Sequence, residues 1–168
     1  MVVFGRTLNE LAILYYRPVP SFLEKCFDFL LNYGMDKENI FIIGGDPFEL
    51  KDLKTKIDAT NDVYLSDTAS PYVVANAIMD FFKLIPGHIL MDSRADDWMR
   101  ANSTDDVKSL YSRLPLINRA VLSRLIAFLT IVKKNSGRNK MDSEAISRAV
   151  SPNLLDKPES KDFIFPIQ

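Results

Sequence analysis

The chain has 168 residues, and 47% of them are apolar, which is enough for one domain with a single sizeable core. Charged residues make up 26% of the chain but sum to a formal net charge of -1, so no overall basic field favours nucleic acid or an anionic membrane surface. The single cysteine excludes an internal disulfide bond, and one histidine without a cysteine cluster leaves little material for a transition-metal site.

Hydrophobic spacing and helix-capping residues predict a mostly helical domain. The first predicted helix runs from Pro20 to about Leu31, and its apolar stripe places Cys26 in the core. The next begins at Asp46-Pro47, where an N-cap acid precedes a first-turn proline. Its apolar spacing leaves three lysines exposed to solvent: Lys51, Lys54 and Lys56.

Five more helix starts follow along the chain, each marked by a capping residue or a proline ahead of apolar residues. The expected segments are 70–84, one beginning near 93, one near 104, 115–135 and about 142–150. Helix 115–135 is the most apolar and is expected at the centre of the domain. On helix 70–84 the pattern places Met79 on the outer side. We expect residues 1–155 to form the domain and 156–168 a polar C-terminal tail, with the apolar segment 163–167 as a candidate for packing back onto it.

The stretch 38–47, ENIFIIGGDP, combines four apolar residues, two glycines and a helix start. A phosphate-binding loop would need a lysine or a third glycine at fixed spacing, whereas here Asp46 puts a negative charge where the phosphate would sit. We interpret residues 40–43 as a buried extended connection, because a single short strand has no partner to pair with.

No other pattern predicts an enzyme active site. The acid pairs 96–97 and 105–106 fall at predicted helix starts, where carboxylates stabilise the positive end of the helix dipole. His88 follows a Pro-Gly pair and is expected in a loop. We expect Trp98 and the phenylalanines to lie in the core.

Six stretches between residues 3 and 155 match the motifs of one family in order and at compatible spacings. They are VFG (3–5), VPSFLEKC (19–26), NIFIIGG (39–45), FFKLIP (81–86), LPLINRAVL (114–122) and NKM followed by SPNLL (139–155). Together they resemble the RhoGAP family, the helical domains that stimulate GTP hydrolysis by Rho-type small GTPases. The resemblance implies an all-α fold, a single-domain RhoGAP-like helical bundle.

The resemblance also implies which residues should contact a GTPase, and several have changed. The catalytic arginine finger of the family, worth roughly 10³ to 10⁵ in rate, aligns with Ile42, which has neither a donor nor a charge. A family lysine that touches the GTPase aligns with Met79, and a contacting asparagine aligns with Ala145. The arginine that braces the finger loop aligns with Lys83, which keeps the charge without the bidentate fork. Packing within the loop is the alternative role for Ile42, and it is the expected role for Ile43, which aligns with a family valine.

Two lysines retain basic positions of the family helix. Lys51 and Lys54 either face an acidic GTPase surface or are simply solvated. With the substitutions above, they leave the GTPase-binding positions as Ile42, Lys51, Lys54, Met79, Lys83 and Ala145, with no catalytic residue.

The first hypothesis is therefore a signalling domain that binds a nucleotide-bound Rho- or Rac-type GTPase and regulates it, with weak or absent stimulation of hydrolysis. One alternative is an activator that positions the GTPase's own glutamine or lends it Lys51 or Lys54. Another is a helical module that binds a different protein or a lipid headgroup and no longer recognises GTPases. An outward Ile42 would favour docking, and a buried one would argue against it.

The remaining expectations follow from composition and from the resemblance. We expect a cytoplasmic monomer that is a GTPase regulator rather than an enzyme in its own right, with recruitment to membranes by partners left open. We expect no nucleic-acid partner, no integral membrane segment, no cofactor and no metal.

Overall fold

The computed structural model describes residues 2–156, and within this range every regular element is helical. The α-helices are α1 (Leu8–Tyr15), α2 (Ser21–Tyr33), α3 (Pro47–Thr60), α4 (Pro71–Lys83), α5 (Ala95–Arg100), α6 (Thr104–Ser112), α7 (Leu116–Lys134), α8 (Ser136–Asn139) and α9 (Ser143–Val150). Two short 3-10 helices, Asp92–Arg94 and Ser151–Asn153, precede α5 and follow α9. The predicted all-α, single-domain fold is confirmed, whereas the tail beyond Asp156, including segment 163–167, lies outside the described residues.

Helix capping explains where the predicted helices begin. Asp46 caps α3 by accepting hydrogen bonds from the amides of Phe48 and Glu49 at 2.8 and 3.1 Å. Ser70 caps α4, and in both helices a proline occupies the first turn. The acid pairs at 96–97 and 105–106 lie in the first turns of α5 and α6, as predicted.

Helices α1 and α8 were not predicted from the sequence. Thr7 and Glu10 form a reciprocal capping box at the start of α1, with bonds of 3.2 Å from the Glu10 amide and 2.9 Å to the Glu10 carboxylate. This T-x-x-E signal is present in the sequence and could have located α1.

The core is built around α2, α4 and α7. The rings of Phe27 and Phe128 lie 4.8 Å apart. Cys26, also in α2, is fully buried, so the core assignment of the thiol is confirmed. Trp98 is also buried and donates its indole N–H to the carbonyl of Leu90.

One phenylalanine departs from the expected pattern. Phe48 is 83% exposed, because it lies nine residues, or about two and a half turns, before the fully buried Ile57 and therefore on the opposite face of α3. None of the helices within residues 2–156 combines the length and the hydropathy that crossing a membrane requires.

Candidate functional site

The stretch between α2 and α3 is a series of tight turns, so the predicted extended connection is wrong. The amides of Ile42 and Ile43 both donate to the carbonyl of Asn39 at 2.9 Å, and Asn39 and Phe41 have positive φ angles of 58° and 74°. These local bonds satisfy the backbone without a partner strand. Ile40 and Phe41 point into the core, whereas Ile42 and Ile43 are 58% and 47% exposed.

This stretch, which we call the 38–46 turn, therefore presents Ile42 outward. The expectation that Ile43 packs within the loop is wrong, because the buried positions of the turn are taken by the two residues before Ile42. The outward orientation is the one that the docking hypothesis requires.

The first half of the 38–46 turn is tied to distant parts of the chain. The amide of Asn39 donates to the carbonyl of Asn139 at 2.8 Å. The hydroxyl of Tyr72, on α4, donates to the carbonyl of Glu38 at 2.8 Å, and Lys140 Nζ lies 3.2 Å from the Glu38 carboxylate. Two of these three contacts use backbone atoms of the turn, so they do not depend on the side chains at Glu38 and Asn39.

The second half of the turn is held against α4 at close range. The amide of Gly45 donates to Asn76 Oδ1 at 2.7 Å. A Cβ atom at Gly45 would lie 2.6 Å from Val73 Cγ2 and 2.7 Å from the Val73 amide nitrogen, so no larger residue fits without displacing α4. Gly44, by contrast, has its nearest neighbouring atom at 3.8 Å.

The two candidate lysines of α3 have different surroundings. Lys54 Nζ lies 3.0 Å from Asp80 Oδ2 and 5.2 Å from the centroid of the Phe4 ring, and it is half-buried, so its predicted full exposure is wrong. The reason is that α4 and the N-terminal segment both approach this side of α3. Lys51 is exposed and forms no hydrogen bond or ion pair with any residue in the range 2–156.

The prediction that Met79 lies on the outer side of its helix is also wrong. Met79 is only 6% exposed, and its Sδ accepts a hydrogen bond of 3.6 Å from Asn153 Nδ2. The 3-10 helix after α9 covers this side of α4, which the periodicity of α4 alone could not indicate. Met79 is therefore a packing residue and not an exposed anchor of the surface formed by the 38–46 turn, α3 and α4, which we call the candidate face.

Lys83 and Ala145 are the two other aligned positions. Lys83 lies in the last turn of α4, is exposed, and makes no hydrogen bond or ion pair with the described part of the chain. The 38–46 turn is held by Asn76 and Tyr72 instead. Ala145 is half-buried in the first turn of α9, where its amide donates to Asp142 Oδ1 at 2.8 Å.

Groups for acid–base or metal chemistry do not gather at this face. Within residues 2–156, no cluster of three or more histidine, cysteine or acidic side chains could hold a metal ion. His88 lies in a loop, as predicted, with Nδ1 at 2.8 Å from Asp92 Oδ2. The candidate face can offer a partner exposed aliphatic and aromatic carbon and the ammonium groups of Lys51 and Lys83, which have no ion-pair partner within residues 2–156.

Comparison with known proteins gives consistent matches. The family profile for the RhoGAP domain matches residues 20–159. The chain is 30% identical over 169 residues to Rho GTPase-activating protein gacJJ of Dictyostelium discoideum, covering 96% of this chain and 19% of that protein. It is 30% identical over 166 residues to SH3 domain-binding protein 1 of Mus musculus, covering 95% of this chain and 24% of that protein. The chain thus spans a quarter or less of the length of these relatives.

Solved structures share the fold at low sequence identity. Human Rho GTPase activating protein 15 superposes with a TM-score of 0.87 at 22% identity, covering 95% of this chain and 82% of that one. The BH domain from Graf, the GTPase regulator associated with focal adhesion kinase, has a TM-score of 0.76 at 19% identity, with coverages of 83% and 80%.

Proposed function

The chain belongs to the RhoGAP domain family, and on this basis we propose that it binds Rho- or Rac-type small GTPases and regulates them. One relative bears the name of a Rho GTPase-activating protein, which supports a GTPase as the partner. The observation that carries the proposal is the outward Ile42, 58% exposed on a turn that is fixed to α4 and to Asn139.

The same residue limits the chemistry that the domain can supply. Catalysis of phosphoryl transfer depends on positive charge placed where negative charge develops in the transition state. A sec-butyl side chain provides no charge and no hydrogen-bond donor. The proposed activity is therefore binding with weak or absent stimulation of GTP hydrolysis, and the domain acts by occupying the GTPase surface.

A second candidate function is stimulation through a lysine, and Lys51 is the residue that favours it. Lys51 is exposed on α3 without a partner in the described range, whereas Lys54 is engaged by Asp80 at 3.0 Å. A lysine is a point charge without the fork of arginine, so its contribution would be smaller than that of a finger.

Two measurements on the same preparations test these functions. Binding is measured by titration against a panel of Rho- and Rac-type GTPases loaded with GDP, a non-hydrolysable GTP analogue, or GDP with aluminium fluoride. Hydrolysis is measured in single turnover at saturating domain. We expect binding to at least one member and a hydrolysis rate within about tenfold of the intrinsic one. An acceleration of about a thousandfold, the lower end of what a finger supplies, would refute weak stimulation.

Lysine variants separate the two candidates. Lys51→Met removes the exposed charge of Lys51 from α3, and Lys108→Met removes an exposed charge from α6 as a matched control. If Lys51 contributes to catalysis, the first variant lowers the stimulated rate and the second does not. Equal rates for both variants would exclude the lysine mechanism.

A further inference from the structure

A cleft with a mostly apolar wall lies where the starts of α1 and α7 meet the segment 85–93. It has a volume of about 330 Å³, and we call it the α1–α7 cleft. Leu8 and Ile85 line it and are buried. The lining residues Pro86 and Pro115 are exposed, and Met91 is half-buried. The cleft therefore has a packed apolar floor and an accessible apolar rim.

Most polar side chains on the wall of the α1–α7 cleft are already engaged within the chain. The Thr7 hydroxyl caps α1, and Asn118 Nδ2 donates to a backbone carbonyl at 2.9 Å. His88 Nδ1 lies 2.8 Å from Asp92 Oδ2. A small-molecule site needs polar groups that are free to orient the ligand. An occupant that contributes hydrocarbon therefore suits this cleft better than a polar one.

The described part of the chain ends at the wall of this cleft. The amide of Asp156 donates to Asp92 Oδ1 at 2.8 Å, and the carbonyl of Leu154 accepts from the amide of Leu90 at 3.2 Å. These two bonds fix residues 154–156 beside the segment 85–93. Since Asp92 itself lines the cleft, the residues that follow Asp156 start at its wall.

The sequence after Asp156 contains an apolar segment within reach of the cleft. Residues 157–162, KPESKD, are polar, and residues 163–167, FIFPI, are all apolar. The connection from Asp156 to Phe163 spans at most about 25 Å when fully extended. A connection this short gives the segment an effective concentration in the millimolar range at the cleft, so even a weak contact is formed in most molecules.

We propose that the α1–α7 cleft is a docking site for residues 163–167 of the same chain. At least one of the rings of Phe163 and Phe165 packs against Met91, and the bond from Asp156 to Asp92 directs the connection to the cleft. A phenylalanine buries about 150–250 Å² when it is fully packed, so one or two rings supply the hydrocarbon that the wall can accept. This docking does not depend on the proposed GTPase binding.

Methyl NMR of the full chain labelled at its methionines tests the proposal at the cleft itself. Met91 lies on the wall of the cleft and is the reporter. Met35 and Met141 are buried, and neither lines the cleft, so their signals verify that the fold is retained.

The test variant combines Phe163→Ser with Phe165→Ser. Phe48→Ser is the matched control, because it makes the same change at a phenylalanine that is already 83% exposed. Thermal unfolding of the same proteins measures the contribution of the segment to stability.

In wild type we expect nuclear Overhauser contacts between the Met91 methyl group and the rings of Phe163 or Phe165. These contacts should be lost in the double variant and kept in Phe48→Ser. The double variant should also lower Tm by about 4 °C or more, because it removes packed aromatic area, whereas Phe48→Ser should leave Tm within about 1 °C.

Three results would overturn the proposal, and the first needs only the wild-type protein. If Met91 shows no contact with either ring in wild type, the segment does not dock in the α1–α7 cleft. If the double variant lowers Tm but leaves the Met91 signal unchanged, the segment packs elsewhere. If the contacts disappear on dilution, the segment comes from a second copy, and docking within one chain is wrong.

Discussion

Substituting Ile42 with arginine tests whether the 38–46 turn alone can position a catalytic charge. A finger worth about 10³ to 10⁵ in rate corresponds to about 4 to 7 kcal/mol of transition-state stabilisation. Ile42 is 58% exposed, so arginine can be accommodated without disturbing the core. Catalysis, however, also requires that the guanidinium be held in a productive orientation.

The structure limits how much of that energy Ile42→Arg can recover. Lys83 occupies the position that the family resemblance assigns to the brace of the finger, yet it makes no hydrogen bond or ion pair within residues 2–156. We therefore expect a gain of at most about a hundredfold in the single-turnover rate, which is about 2.7 kcal/mol. The double variant Ile42→Arg with Lys83→Arg, which restores the fork, should exceed the single variant.

Ile43→Arg is the matched control for this experiment. It adds the same charge one residue along, at a side chain that is 47% exposed, and so reports the effect of a charge that is not positioned. We expect Ile42→Arg to exceed Ile43→Arg by a modest factor. A gain above about a hundredfold from Ile42→Arg alone would mean that the turn needs no brace, and it would refute this reasoning.

Three further predictions concern the scaffold. Gly45→Ala places a Cβ 2.6 Å from Val73 Cγ2 and should lower the free energy of unfolding, measured in urea, by about 1–3 kcal/mol. Gly44→Ala is the control and should change this free energy by no more than about 0.5 kcal/mol. Equal effects of the two substitutions would contradict the close approach of Gly45 to α4. Burial raises the pKa of the Cys26 thiol to about 12, above its ordinary value near 8.5. The protonated thiol therefore contributes fully to the stability of the fold below about pH 8.5, and this contribution is lost as the pH rises towards 12. The native protein should accordingly resist a thiol reagent at pH 8 and react on unfolding, and fast labelling of the folded protein would show otherwise. Asn139→Ala leaves the buried amide of Met141 without its partner, whereas the carbonyl of Val132 keeps its bond from the Asn135 amide. The substitution should cost about 1–3 kcal/mol, measured by the same urea titration with the exposed Asn102→Ala as control.

Helix positions were predictable because their signals are local. Asp46-Pro47 and Ser70-Pro71 combine a capping side chain with a fixed φ angle, and both helices begin at the proline. Helix α1 carries a local signal as well, in Thr7 and Glu10, but it has only 8 residues. A helix of that length is marginal by itself and depends on packing against α7, which the sequence does not reveal.

The candidate face was less predictable because long-range contacts shape it. The left-handed φ angles at Asn39 and Phe41 accompany a bond to Asn139, a residue that local apolar content cannot indicate. Met79 is covered by the 3-10 helix Ser151–Asn153, so its burial depends on a segment far along the chain. The alignment of motifs identified Ile42 as a position of interest, but the fold was needed to establish that it points outward.

The contacts that hold the 38–46 turn bear on why an isoleucine stands at position 42. The side chain of Ile42 is not needed for these contacts, since they join the backbone of the turn to Asn76, Tyr72 and Asn139. A side chain that is 58% exposed also buries little apolar area, so it adds little to the stability of the domain. A polar residue would serve the isolated fold at least as well. The fold therefore does not require the hydrocarbon at Ile42.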